Sequence, residues 1–121
     1  MKQIIKISSP NNETMKSFFN LRDKKTRNKE QKFLIEGYHL IEEASKTNYL
    51  ECVITSDEKM IGQFQDILVY YVTDVIIKRL SSTKNPQPIV GVVNMHNYSI
   101  NDLKNMIKKD EVKMVILDNI N

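Results

Sequence analysis

Cysteine and long apolar runs are scarce in this sequence of 121 residues. The one cysteine, Cys52, excludes a disulfide framework or a cysteine-based zinc site within the chain and fits a reducing cytoplasm. Cys52 lies among Leu50, Val53 and Ile54, so we expect a small core residue rather than a nucleophile. No apolar stretch approaches the roughly 20 residues of a membrane span, and residues 1–6 lack signal-peptide features. We therefore expect a cytoplasmic protein without membrane contact.

Glycine and histidine are also rare. The three glycines are Gly37, Gly62 and Gly91, and they form neither a phosphate loop nor a dinucleotide-binding fingerprint. The two histidines, His39 and His96, are far apart and have no metal-type neighbours. We therefore expect no metal site.

The remaining sequence indicates one globular α/β domain. Its length suits one domain, and its hydrophobic fraction of 40% is typical of a folded chain. Apolar segments alternate with amphipathic ones, which predicts a mixed, mostly buried sheet of about four strands with helices between them. The expected strands cover residues 33–35, 50–55, 67–72 and 89–95. Residues 1–10 are expected to be extended, 101–109 to form a helix, and 112–117 a further strand.

The stretch around Gly37 joins a strand to a helix. Phe33, Leu34 and Ile35 form an apolar run of strand-favouring residues, and Gly37 then permits backbone angles that other residues resist. A helix that starts at Gly37 exposes backbone N–H groups, which makes its start a candidate phosphate-binding site. An ordinary strand-to-helix turn explains the same pattern. Glu36 suits a structural role, capping backbone donors, better than a catalytic one.

Positive charge is concentrated in one segment. The chain carries a net charge of +3, but residues 16–32 contain seven basic and two acidic residues, so the rest of the chain is acidic. A local basic arm is the footprint of a polyanion partner, although a solvated charged loop gives the same pattern.

Three ordered patterns of residues run along the chain. The first is a start of serine, asparagine and basic residues, formed by Ser9, Asn12, Lys16, Lys24, Lys25 and Arg27. The second is Phe33-Leu34-Ile35-Glu36-Gly37 followed by Glu43-Ala44. The third is a serine, threonine and proline-glutamine series, formed by Leu80, Ser81, Thr83, Pro86, Gln87 and Ile89. Together the three patterns resemble the N-terminal substrate-binding domain of the SpoU/TrmH family of RNA 2′-O-ribose methyltransferases. Pro88 departs from the family, which usually has glycine there; proline removes an N–H group that could contact substrate.

The resemblance implies a three-layer α/β/α sandwich like that of the ribosomal proteins that bind kink-turn RNA. It divides the chain into an extension and first helix (1–21), an RNA substrate-binding domain (22–110), and a linker with the first strand of a missing C-terminal trefoil-knot domain (111–121). In the family that missing domain binds S-adenosylmethionine, supplies the catalytic arginine and forms the homodimer. The resemblance therefore implies no catalytic or cofactor-binding residue within 1–121.

Candidate RNA contacts follow from the charge pattern and the resemblance together. The basic arm is expected to contact phosphates of structured rRNA or tRNA through Lys16, Arg22, Lys24, Lys25, Arg27 and Lys29. The start of the helix after Gly37 offers backbone donors and a ring at Gly37, Tyr38 and His39. The loop before the fourth strand adds Thr83 and Gln87, for which a rigid turn is the alternative explanation. A free-standing kink-turn or ribosome-binding protein and a protein-interaction module remain alternative functions.

Overall fold

A five-stranded mixed sheet forms the centre of the structure, a computed structural model that describes residues 3–95. The strands are β1 (Ile4–Ile7), β2 (Lys32–Glu36), β3 (Leu50–Thr55), β4 (Leu68–Val72) and β5 (Ile89–Asn94), in the spatial order β1-β4-β3-β5-β2. β4 pairs in parallel with β1 and β3, whereas β5 is antiparallel to both β3 and β2. The α/β class and the mixed sheet are confirmed. The strand beyond the expected four is β1, in which Ile4 pairs with Val69.

Four short helices and two 3-10 turns accompany the sheet in residues 3–95. The helices are α1 (Glu13–Phe19), α2 (Lys24–Glu30), α3 (Tyr38–Ser45) and α4 (Asp74–Leu80), and the turns are Asn20–Arg22 and Glu58–Met60. Polar side chains cap several of them: Asn12 accepts a hydrogen bond from the N–H of Met15 at 3.1 Å, and Thr73 accepts one from the N–H of Ile76. These caps satisfy donors that the first helical turn leaves open.

The core lies in two layers, one on each face of the sheet. On one face α1, α4 and the first 3-10 turn pack against the sheet, and Met15, Ile76 and Leu34 are buried there. On the other face α3 packs against the sheet, and Leu40 and Ile35 are buried there. The three-layer α/β/α arrangement is therefore present. Leu21, within the first 3-10 turn, is buried in the first layer.

Two segments between strands form short helical elements. The basic segment after residue 22 is a separate helix, α2, because Asp23 caps its start and Gln31 ends it in a left-handed conformation with φ of 57°. The segment after Ser56 forms only the 3-10 turn Glu58–Met60, where Asp57 accepts the N–H of Lys59 at 3.0 Å. The expected helix at 101–109 and strand at 112–117 lie outside the described residues.

Candidate nucleic-acid interface

Most of the basic residues of the predicted basic arm lie on α2. Asp23 precedes the helix and accepts the N–H of Lys25 at 3.3 Å, which fixes the first turn. Lys24, Lys25 and Lys29 are exposed, and the helix leads within two residues into the buried strand β2. Three lysines are thus presented on a short helix that is tied to the sheet at its end.

Arg27 differs from its neighbours because its guanidinium points inward. It is half-buried, and its Nη1 donates to the carbonyl oxygens of Leu21 at 3.0 Å and Arg22 at 2.7 Å. Burial lowers the pKa of Arg27, and the charge of Asp23 opposes that shift. The Nε atom is buried and has no hydrogen-bond partner in residues 3–95. The side chain therefore joins α2 to the preceding 3-10 turn, so its binding capacity is largely used within the protein.

Arg22 connects the basic segment to α4. Its Nη1 donates to the carbonyl oxygen of Arg79 at 3.1 Å, and the guanidinium of Arg79 lies 4.5 Å from the centre of the Phe19 ring. Arg22 and Arg79 are exposed, as is Lys16 on α1. The charge pattern along the sequence identified Arg22 and Lys16 as candidates but missed Arg79, which lies 57 residues from Arg22. Only the packing of α4 beside α1 brings these residues together.

Glu36 anchors the loop that follows α4. Its two carboxylate oxygens accept hydrogen bonds from the hydroxyl of Ser81, from the N–H of Ser82 at 3.0 Å and from the hydroxyl of Ser82 at 2.8 Å. The hydroxyl of Ser81 also accepts the N–H of Thr83 at 3.0 Å. Glu36 therefore caps backbone and hydroxyl donors at the turn, as the sequence suggested. The same bonds fix Thr83, an exposed candidate contact, at the carboxyl end of β2.

Gly37 and Gln87 meet at the start of α3. Gly37 has φ of 99° and ψ of 151°, a backbone conformation available almost only to glycine. Its N–H donates to the carbonyl of Ile89 at 3.1 Å, and the next N–H, that of Tyr38, donates to Gln87 Oε1 at 2.9 Å. A Cβ on Gly37 would lie 2.8 Å from that Gln87 oxygen. The first two N–H donors of the candidate phosphate-binding site therefore already donate hydrogen bonds within the protein.

Tyr38 is tied down at its hydroxyl as well as at its backbone. The hydroxyl donates to Asp57 Oδ2 at 2.7 Å, and the ring packs against the α3 layer of the core. Partial burial, the bond to Asp57 and its charge raise the pKa of Tyr38 to about 12, while the same hydrogen bond lowers the pKa of Asp57. The neighbouring His39 is exposed. Tyr38 is therefore held in one orientation, which limits it as a stacking platform.

The candidate residues thus form two groups. Thr83, Gln87, Gly37 and Tyr38 meet at the carboxyl end of β2, whereas the exposed lysines lie on α2. Pro88, the departure from the family pattern, uses its carbonyl oxygen to accept the hydroxyl of Thr55 at 2.7 Å and the N–H of Ser56 at 3.2 Å.

The part of the chain from residue 3 to residue 95 contains no group of three or more side chains suited to hold a metal ion. None of its helices has the length and apolar character needed to cross a bilayer.

Comparison with known proteins identifies relatives for most of the chain. Residues 12–91 match the family described as MRM3-like substrate binding domain. The 23S rRNA (guanosine(2553)-2′-O)-methyltransferase RlmP of Bacillus subtilis is 31% identical over 116 residues, which are 93% of this chain and 46% of that protein. The chain therefore spans less than half the length of this curated relative.

Solved structures share the fold. An AdoMet-bound rRNA methyltransferase from Sinorhizobium meliloti matches 83% of this chain and 40% of its own, with a TM-score of 0.66 and 22% identity. The SpoU methyltransferase AviRb from Streptomyces viridochromogenes, in complex with AdoMet, matches 75% of this chain and 38% of its own, with a TM-score of 0.62 and 15% identity. At these identities the likeness shows the α/β/α fold alone.

Proposed function

Because the chain belongs to the family of MRM3-like substrate binding domains, we propose that it binds structured RNA and presents one ribose for 2′-O-methylation. The family match over residues 12–91 carries this proposal. It is supported by α2, which exposes Lys25 and Lys29, and exposed lysines are side chains that neutralise nucleic-acid phosphates. Such contacts orient an RNA without reading its sequence.

We propose that methyl transfer itself occurs in another part of the protein. The chain spans 46% of the length of its curated relative RlmP, which leaves room in such a protein for a further domain. We assign S-adenosylmethionine, the methyl donor, to a trefoil-knot domain that residues 111–121 would join to this one. That domain would also form a homodimer, and the compartment would be the cytoplasm.

The separation of RNA binding from methyl transfer is consistent with the chemistry of the transfer reaction. Transfer between a cofactor and a ribose hydroxyl gains most of its rate from the alignment of two reactants. A domain that holds the RNA backbone firmly contributes to that alignment without touching the reacting atoms. The bonds from Glu36 to Ser82 and from Tyr38 to Gln87 keep this domain's loops rigid for such a role.

The test is a titration of the chain with a 23S rRNA transcript at low and moderate salt. We expect affinity to fall steeply with salt, and the double variant Lys25→Gln/Lys29→Gln to bind more weakly with a shallower salt dependence. The matched control is Lys46→Gln/Lys59→Gln, which removes two exposed charges on the α3 side of the sheet. Affinity that ignores salt, or equal losses in both double variants, would contradict the proposal.

A further inference from the structure

Four basic residues from three separate segments come together around α4. Arg22 bonds to the carbonyl of Arg79 at 3.1 Å, which ties the first 3-10 turn to the last turn of α4. Lys78, next to Arg79, lines a cleft of about 380 Å³ together with Lys84 from the following loop. We call these four residues the α4 surface: Arg22, Lys78, Arg79 and Lys84. All four side chains are exposed.

Neighbouring acids offset only part of this positive charge. Asp74 lines the same cleft, and its Oδ1 accepts the hydroxyl of Ser56 at 2.6 Å. Glu36 lies near the start of the loop, where its carboxylate accepts hydrogen bonds from Ser81 and Ser82. Both carboxylates keep their negative charge, because hydrogen bonds from neutral groups do not remove it, but the four cations outnumber them. A local excess of this sign attracts the phosphates of a nucleic acid.

The α4 surface also offers flat and apolar contacts. The guanidinium carbon of Arg79 lies over the half-buried Phe19 ring, 4.5 Å from its centroid. Val75, one helical turn before Arg79, is 59% exposed. A guanidinium plane beside apolar groups can take an unpaired base while nearby lysines take phosphates. This combination suits single-stranded or bulged RNA better than an acidic protein partner.

We propose that the α4 surface is a second RNA-contact surface, continuous through Arg22 with the lysines of α2. This inference rests on the proposed function and extends it to Lys78, Arg79 and Lys84, which the charge pattern of the sequence does not single out. The loop that carries Lys84 is held by Glu36, so the contact is placed by the fold. The RNA backbone would run from α2 across the first 3-10 turn to this loop.

The test uses the double variant Lys78→Gln/Lys84→Gln in the full chain, titrated with the same 23S rRNA transcript. Lys78 and Lys84 are exposed and Arg79 keeps its contact with Phe19, so we expect the fold to be retained. Binding should weaken by about 5- to 30-fold at low salt. The slope of log affinity against log salt should become shallower by roughly 1.4 to 1.8, as two lost phosphate contacts require.

Comparison with the other double variants separates the two proposals. One outcome is that Lys78→Gln/Lys84→Gln binds the RNA as tightly as the unmodified chain does, while Lys25→Gln/Lys29→Gln binds it more weakly. That outcome would overturn the proposal that the α4 surface contacts RNA and would leave the proposed RNA-binding function in place. If the affinity for RNA does not depend on salt and neither double variant changes it, both proposals are overturned. If the α4 variant loses affinity and Lys46→Gln/Lys59→Gln does not, the α4 surface is supported.

Discussion

Glu36 accepts the backbone N–H of Ser82 at 3.0 Å across a sequence separation of 46 residues. The same carboxylate accepts the Ser82 hydroxyl at 2.8 Å, so one side chain holds both polar groups of its partner. Next to this contact, Gln87 accepts the N–H of Tyr38. The segment 36–38 and the loop 81–87 are far apart in the sequence, and these contacts join them into one structural unit at the carboxyl end of β2.

Glu36→Ala is expected to destabilise the protein. It removes the acceptor of the Ser81 hydroxyl and of both polar groups of Ser82, and hydrogen bonds to a charged group contribute about 1.5 to 3 kcal/mol. We expect the free energy of unfolding, measured by urea denaturation, to fall by about 2 kcal/mol. The matched control, Glu42→Ala on the exposed side of α3, should change it by less than about 0.5 kcal/mol. Equal effects of both substitutions would contradict the anchoring role.

Gly37→Ala is expected to strain the backbone. Gly37 has φ of 99° and ψ of 151°, and an alanine held there costs about 1 to 3 kcal/mol. Urea denaturation should show a loss of that size. Gly62, an exposed turn glycine with an ordinary φ, provides the control, and Gly62→Ala should be nearly neutral.

A second substitution separates strain from crowding at this turn. The Cβ of Gly37→Ala would approach Gln87 Oε1 to 2.8 Å, and that atom is the end of a flexible side chain. Adding Gln87→Ala removes the crowding and also the acceptor of the Tyr38 N–H, so the single variant Gln87→Ala is the reference for the double variant. We expect the double variant to be less stable than Gln87→Ala by the cost of the backbone strain; equal stability of the two would show that crowding alone sets the cost.

Local sequence patterns predicted the elements well and their partners poorly. The turn at Gly37 and the capping role of Glu36 follow from residue chemistry, and the family resemblance is confirmed by the match over residues 12–91. The joining of Glu36 to Ser82 is a long-range contact between polar residues, and hydrophobic periodicity carries no information about such pairs. β1 was expected only as an extended segment, because pairing of Ile4 with Val69 depends on the completed sheet.

Charge runs were the least informative signal. Arg27 and Lys25 look equivalent in the sequence, yet one is half-buried against carbonyl oxygens and the other is exposed. The difference arises because residue 27 faces the 3-10 turn, and a guanidinium can donate to two acceptors at once. Which cations remain available for RNA therefore depends on packing.

Arg27→Lys tests whether Arg27 acts in structure or in binding. Lysine keeps the charge but replaces the planar guanidinium, whose Nη1 donates to the carbonyls of Leu21 and Arg22, with a compact ammonium group on a flexible stem. We expect the free energy of unfolding to fall by about 1 to 2 kcal/mol and RNA affinity to change little. Lys25→Gln, its counterpart, should weaken RNA binding and leave unfolding unchanged. A variant Arg27→Lys that unfolds normally but loses RNA would assign Arg27 to the RNA contact.

The hydrogen bond from Tyr38 to Asp57 predicts a defined pH dependence of stability. The pKa of Asp57 is lowered in the folded protein, so its contribution is present above the ordinary pKa of an aspartate, about 4, and is lost as the pH falls through the folded value. The pKa of Tyr38 is raised from 10.0 to about 12, so its contribution is present below pH 10.0 and is lost as the pH rises towards about 12. The contribution of the pair should therefore be constant between these limits.

Tyr38→Phe removes that contribution and should reveal both limits. The difference in unfolding free energy between the unmodified protein and Tyr38→Phe is expected to be constant from about pH 5 to pH 9 and to shrink on either side. When tyrosinate absorbance is followed as a function of pH, the step near pH 12 should be absent in Tyr38→Phe. The control Tyr71→Phe, which removes a hydroxyl on β4, should keep that step. In an Asp57→Asn background, Tyr38→Phe should no longer produce the acid limit, because the carboxylate that titrates there is absent. An unchanged acid limit in that background would assign the pH dependence to another group.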